Sequence, residues 1–161
     1  MTGEGAARGA VILCDHLYPT KFGKWVIAGT YTTWWTAEAQ LEFRNGLQAY
    51  LRFQVEQPGS HRLRLQLVNR HLPANEPPIH RIELAVQHSS PFQPCELGVT
   101  IPPFGIRSPV PPAEIPTERP VAVHLSVDLE VDDTDLASSP LVVLCRNPKA
   151  RPPESASEER R

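Results

Sequence analysis

Little in this chain of 161 residues speaks for a known chemistry. It contains no CxxC, HxH or HExxH, no GxSxG elbow, no glycine-rich phosphate loop and no dinucleotide fingerprint. The usual spacings of zinc sites, serine hydrolases and nucleotide enzymes are therefore missing. No apolar run approaches the roughly 18–20 residues that span a bilayer. The opening MTGEGAARG lacks the basic start and apolar stretch of a secretory signal. A net charge of −2 argues against a strong general pull toward nucleic acid or anionic membrane. Cysteine is sparse and odd in number. Cys14, Cys95 and Cys145 each sit in or beside an apolar strand pattern, which reads as buried free thiols in a reducing compartment. These absences predict a cytoplasmic protein with no nucleic-acid or membrane partner, no metal and no cofactor.

What is present is proline and alternation. Eighteen prolines against 9 glycines exclude a helical protein, because proline breaks helix interiors, and they also exclude a collagen-like repeat. The chain is long enough for one domain with a real core and too short for two of ordinary size. Apolar and polar residues alternate as half-buried strands require. Leu47, Ala49, Leu51, Phe53 and Val55 form one inward set, with Gln48, Tyr50, Arg52 and Gln54 outward. Leu63, Leu65 and Leu67 form the next, and the Gln57-Pro58-Gly59-Ser60 turn between them predicts a hairpin. Ile82, Leu84 and Val86 continue the pattern, followed by Cys95, Leu97, Val99 and Ile101. The cleanest run is Val121, Val123, Leu125, Val127, Leu129 and Val131, which the acidic stretch 132–135 turns into the apolar Leu141–Cys145.

Together these features predict an all-β fold, a single antiparallel β-sandwich of about seven to nine strands, with a closed barrel as the alternative. Residues 1–9 read as a flexible N-terminus, 10–146 as the sandwich and 147–161 as a disordered tail too poor in apolar residues to order itself. The segment 36–43 (TAEAQLEF) is either one or two helical turns or an irregular connection. Pro102–Pro120, with seven prolines, reads as a proline-rich loop or crossing arm. Its Phe104, Ile106, Val110 and Ile115 would pack it on the body.

At positions 11–35 the text VILCD, a short loop, GKWVIAGTY and a tryptophan pair resembles an uncharacterised family of small bacterial β-sandwich proteins. The later RPVAVHLSVDLEVDDTDLASSPLVVL resembles that family's closing hairpin, whereas Pro102–Pro120 is longer than its usual connection. The resemblance implies a sandwich in a bacterial cytoplasmic protein, and implies no activity.

Several constellations invite a chemical reading. Cys14-Asp15-His16 has the composition of a nucleophile with a base, yet Val-Ile-Leu before the thiol raises its pKa where catalysis needs it lowered. Six scattered histidines lack zinc-ligand spacing. Asp128, Glu130, Asp132, Asp133 and Asp135 lack the glycine of a calcium loop. Arg52, Arg62, Arg64 and Arg81 could form a basic strip on neighbouring strands, but Glu56 and Glu83 dilute it and favour cross-strand ion pairs. The aromatics remain. Trp25 is expected in the core, and one of Trp34 and Trp35 is expected buried with the other near the surface. The leading functional expectation is therefore a non-enzymatic binding protein whose partner is another protein. Its contact candidates are Trp34, Trp35, Phe104 and Ile106. A carbohydrate- or small-ligand-binding module is the alternative, and a hydrolase around Cys14 the third reading.

Overall fold

The structure, a computed structural model, describes residues 8–30, 32–73, 75–90 and 92–150. It is all-β. Among the described residues eleven strands form three sheets, and the only helical element is a 3-10 turn at Pro112–Glu114. The seven to nine strands expected from alternation are exceeded because two four-residue strands, Thr33–Thr36 and Gln40–Phe43, and a third at Phe104–Arg107 are too short for that signal. No helix among the described residues is long and apolar enough to cross a membrane.

The first sheet joins β1 (Arg8–Pro19), β2 (Trp25–Thr30), β5 (Leu47–Gln54) and β8 (Cys95–Ile101) in the order β2-β1-β5-β8. The second joins β3 (Thr33–Thr36), β6 (Gly59–Asn69), β7 (His80–His88), β10 (Val121–Val131) and β11 (Thr134–Cys145) in the order β3-β11-β10-β6-β7. The small third sheet pairs β4 (Gln40–Phe43) with β9 (Phe104–Arg107). Alternation places the inward rows as the sequence requires. Leu51, Leu63, Val127, Leu129, Leu141 and Val143 are fully enclosed in one core shared by the two large sheets. At about 1.5–3 kcal/mol for each large side chain buried, this common core is the main stabilising term.

The pairing departs from the local signals in three places. Leu47–Gln54 and Gly59–Asn69 do not form the expected hairpin: β5 lies in the first sheet and β6 in the second, so the proline-glycine turn carries the chain between sheets. Within 36–43 no helix forms: Thr36 ends the strand Thr33–Thr36, residues 37–39 are an irregular connection, and Gln40–Phe43 finds a partner strand in Phe104–Arg107. Part of the proline-rich arm is therefore sheet, and the arm returns to the body at Ile115, which is only 1% exposed. Asn147, assigned to the tail, is buried and donates its side-chain amide to the carbonyls of Ala113 and Ile115 at 3.2 and 2.8 Å. It fastens the arm to the end of β11. Of the termini, residues 1–7 and 151–161 lie outside the described residues.

Trp25 is not a core residue. The β1–β2 hairpin folds over the outer face of the first sheet, where Trp25 meets Tyr50 at 6.1 Å between ring centroids. Gly98, opposite Tyr50 in the neighbouring strand, makes room: a Cβ there would stand 2.7 Å from Leu17 and 3.0 Å from Trp25. Tyr50, read as outward, does face outward, yet it is covered by this small second cluster. Burial and the Glu96 carboxylate beside it push its pKa up to about 12.

Candidate functional site

Trp34 and Trp35 are separated by the pleat of β3. Parallel pairing sets Trp34 beside Val143, which is fully buried, and Trp35 beside Leu144. Trp34 thus turns inward and is half-buried, its ring edge-on to Phe43 at 5.4 Å. Phe43 stacks on Phe104 at 4.5 Å, and Phe104 meets the His80 ring at 6.1 Å. This aromatic column links β3 to β7 through the small β4–β9 sheet. Phe104 and Ile106 are therefore interior side chains, 7% and 4% exposed, and present nothing to a partner in this conformation. Of the four contact candidates, Trp35 alone is well exposed, at 43%.

The face that carries Trp35 is the outer side of the second sheet. By register Leu144 stands beside it, and Arg146 follows just past the end of β11. The Arg146 backbone amide donates to the Thr36 carbonyl at 2.9 Å. Its side-chain Nε and Nη1 are buried without a hydrogen-bond partner among the described residues. A buried guanidinium donor without an acceptor is costly, because the group has lost water and gained nothing. No feature of the sequence pattern singled out Arg146; the signal is purely tertiary.

A concave region lies where β1 passes the β4–β5 connection. It is a cleft of about 560 Å³ whose wall includes Cys14, Asp15, His16, Trp34, Glu42, Arg44 and Gln48. The Cys-Asp-His triplet is thus brought to a cleft, but not as a nucleophile pair. Cys14 is fully buried, and its thiol donates to the Gln48 carbonyl at 3.7 Å, while Asp15 and His16 are exposed. Burial, and then the Asp15 charge, push the thiol pKa up. Iodoacetamide applied to the native protein should leave Cys14 unmodified and label it fully once the chain is denatured. Labelling of Cys14 at the rate of a free thiol in the native state would refute this enclosure.

The basic strip does not form, because Arg52 lies on the first sheet, beside Glu96 at 3.5 Å, while Arg62, Arg64 and Arg81 lie on the second. There the arginines pair with the acidic series. Arg64 reaches Glu130 at 2.7 Å and Glu83 at 3.2 Å, Arg70 holds Asp128 at 2.7 Å, and Arg62 binds Asp133. Solvent screening leaves such surface pairs with little net contribution to stability. No group of three metal-ligating side chains occurs among the described residues.

At the tip of this network His61 ties two turns together. Its Nε2–H donates to the Gln57 carbonyl at 2.8 Å, and its Nδ1 faces the Asp132 carboxylate at 2.6 Å. Both partners are acceptors, so both contacts are satisfied as hydrogen bonds only while the ring is protonated. Asp132 and Asp133 form the two-residue β10–β11 turn with φ of 49° and 63°, the left-handed conformation this hairpin type needs. The neighbouring charges are Arg62, paired to Asp133, and the His88 ring lies 6.4 Å away.

The hydrogen bond to Asp132 raises the His61 pKa above its ordinary 6.5, and the same bond lowers that of Asp132 below 3.8. The His61 contribution is full below pH 6.5 and is lost as pH rises through its raised folded value. That of Asp132 is present above pH 3.8 and is lost as pH falls through its lowered one. The pair should therefore stabilise most between pH 3.8 and 6.5. His61→Gln should flatten the decline in melting temperature on the alkaline side; an unchanged pH profile would contradict the assignment.

No protein-family model matches this chain, and no curated protein matches it.

Proposed function

We propose that this chain is a non-enzymatic β-sandwich binding protein of the bacterial cytoplasm, and that it docks another protein on the outer face of the second sheet around Trp35. The observation that carries the reading is Trp35, a large aromatic side chain 43% exposed on the outer side of the second sheet. Trp35 offers a broad apolar ring whose indole N–H can also donate to a partner. Tryptophan is among the residue types that most often dominate binding energy at protein interfaces. Two sheets sharing one core support the sandwich description.

The test is quantitative. A partner recovered from the native source on immobilised chain should bind Trp35→Ala at least about tenfold more weakly in titration, the effect of a hot-spot residue. Equal affinity for the parent and Trp35→Ala would remove this surface from consideration. Deleting the proline-rich arm is not an equivalent experiment, because Phe104, Ile106 and Ile115 belong to the core.

The cleft supports a second reading, a module for a small polyhydroxylated ligand. Carboxylates from Asp15 and Glu42, donors from Arg44 and Gln48, and the Trp34 ring share a space within the size range of ligand pockets. A glycan array separates the two readings: specific glycan signals abolished by Glu42→Ala, with Trp35→Ala unaffected, would favour the cleft.

A further inference from the structure

We propose that two copies of this chain pair edge to edge through β7, antiparallel and centred on Leu84, so that their five-stranded sheets become one continuous sheet. The inference goes beyond the binding function above and rests on a different part of the molecule.

β7 is an edge strand, hydrogen-bonded on one side to β6, with no described strand paired to it on the other. It is the longest edge of the two large sheets. Its nine residues hold an unbroken register with β6 from His80 to His88. The other edges are shorter: β2 has six residues, β3 four and β8 seven. A long straight edge is a template for another strand, and soluble proteins usually blunt it with proline, a bulge or an inward-facing charge. β7 has none of these. Its inward row is Ile82, Leu84 and Val86 between two histidines, and Leu84 remains 36% exposed.

The occupant is argued from self-complementarity. A two-fold axis pairs any strand with its own copy antiparallel, so one surface serves both partners. Centred on Leu84, all nine residues pair. On the inward side Leu84 meets Leu84 of the copy and Ile82 meets Val86 twice, which extends an apolar row with an apolar row. On the outward side Arg81 meets Gln87 and Glu83 meets Ala85, so no like charges stand opposite each other. Glu83 is already matched within its own chain by Arg64 at 3.2 Å. The alternative two-fold on Ile82 would set Arg81 against Glu83, but it brings Pro78 to the ladder opposite Val86 and shortens the pairing.

The register makes the test sharp. Directly opposed residues of an antiparallel pair have Cα atoms about 4.5–5.5 Å apart, within the range a disulfide bridges. In a Cys95→Ser background, where the remaining Cys14 and Cys145 are buried, Leu84→Cys should form a disulfide-linked dimer under mild oxidation. Ile82→Cys should not, because its two copies would stand about 14 Å apart. Sedimentation of the full chain should show a monomer–dimer equilibrium that Leu84→Lys shifts to monomer with an unchanged far-ultraviolet spectrum. A chain that stays monomeric up to about 1 mM would overturn the proposal. So would a dimer that Ile82→Cys, and not Leu84→Cys, locks, or one that neither locks.

Discussion

Gly46→Ala should cost about 3 kcal/mol or more in a chemical denaturation experiment. Gly46 closes the Phe43–Gly46 turn with φ of +68°, and its amide donates to the Phe43 carbonyl at 2.9 Å. Two penalties coincide at this position. The left-handed conformation alone costs an L-residue about 1–2 kcal/mol. In addition, a Cβ would overlap the Ile101 carbonyl oxygen and approach the Pro102 carbonyl carbon at 3.0 Å. Ile101 stands opposite Leu47 in the β5–β8 ladder, so relief requires moving a strand end in the core. Gly23 provides the control: its φ is +73°, but a Cβ there meets nothing within 4 Å. Gly23→Ala should therefore show the conformational cost alone. Equal losses in the two variants would refute the steric explanation.

Phe104→Ala should be comparably severe, at about 3–5 kcal/mol, the range for truncating a buried aromatic ring. The ring is 7% exposed and sits between Phe43 and His80, with Trp34 beyond Phe43. Its loss leaves a cavity between the small sheet and the main core, where rigid neighbours collapse poorly. Trp35→Ala should instead change stability by about 0.5 kcal/mol or less, as expected for a surface position, while weakening the proposed protein contact. The two substitutions thus separate packing from recognition in residues that the sequence groups together. A Phe104→Ala variant as stable as the parent would show that the column carries no stabilising load.

The pattern of inward rows was legible because alternation is a local property. Val123, Leu125, Val127, Leu129 and Val131 are all buried in β10, as their period of two requires. Cys14 was legible for the same reason: three apolar neighbours foretell an enclosed thiol. Strand partners were not. The Pro58-Gly59 turn has hairpin composition, yet composition fixes only that the chain reverses, and the two strands it joins settle in different sheets. Gln40–Phe43 has a helix-like composition, but local propensity is weak and yields to a partner strand donated from sixty residues away.

The site divides along the same line. By itself, the sequence determined the strand-rich class, the inward apolar rows, and the rule that adjacent tryptophans in a strand must face opposite ways. Which tryptophan is outward depended on the parallel pairing with β11, a long-range choice that sets Trp34 against Val143. Only the tertiary structure placed Phe104 and Ile106 inside, because their burial comes from the β4–β9 sheet. It alone left Arg146 with donors lacking acceptors and β7 with an open edge. Those are properties of what stands beside a residue in space, and a period of two along the chain carries no information about that.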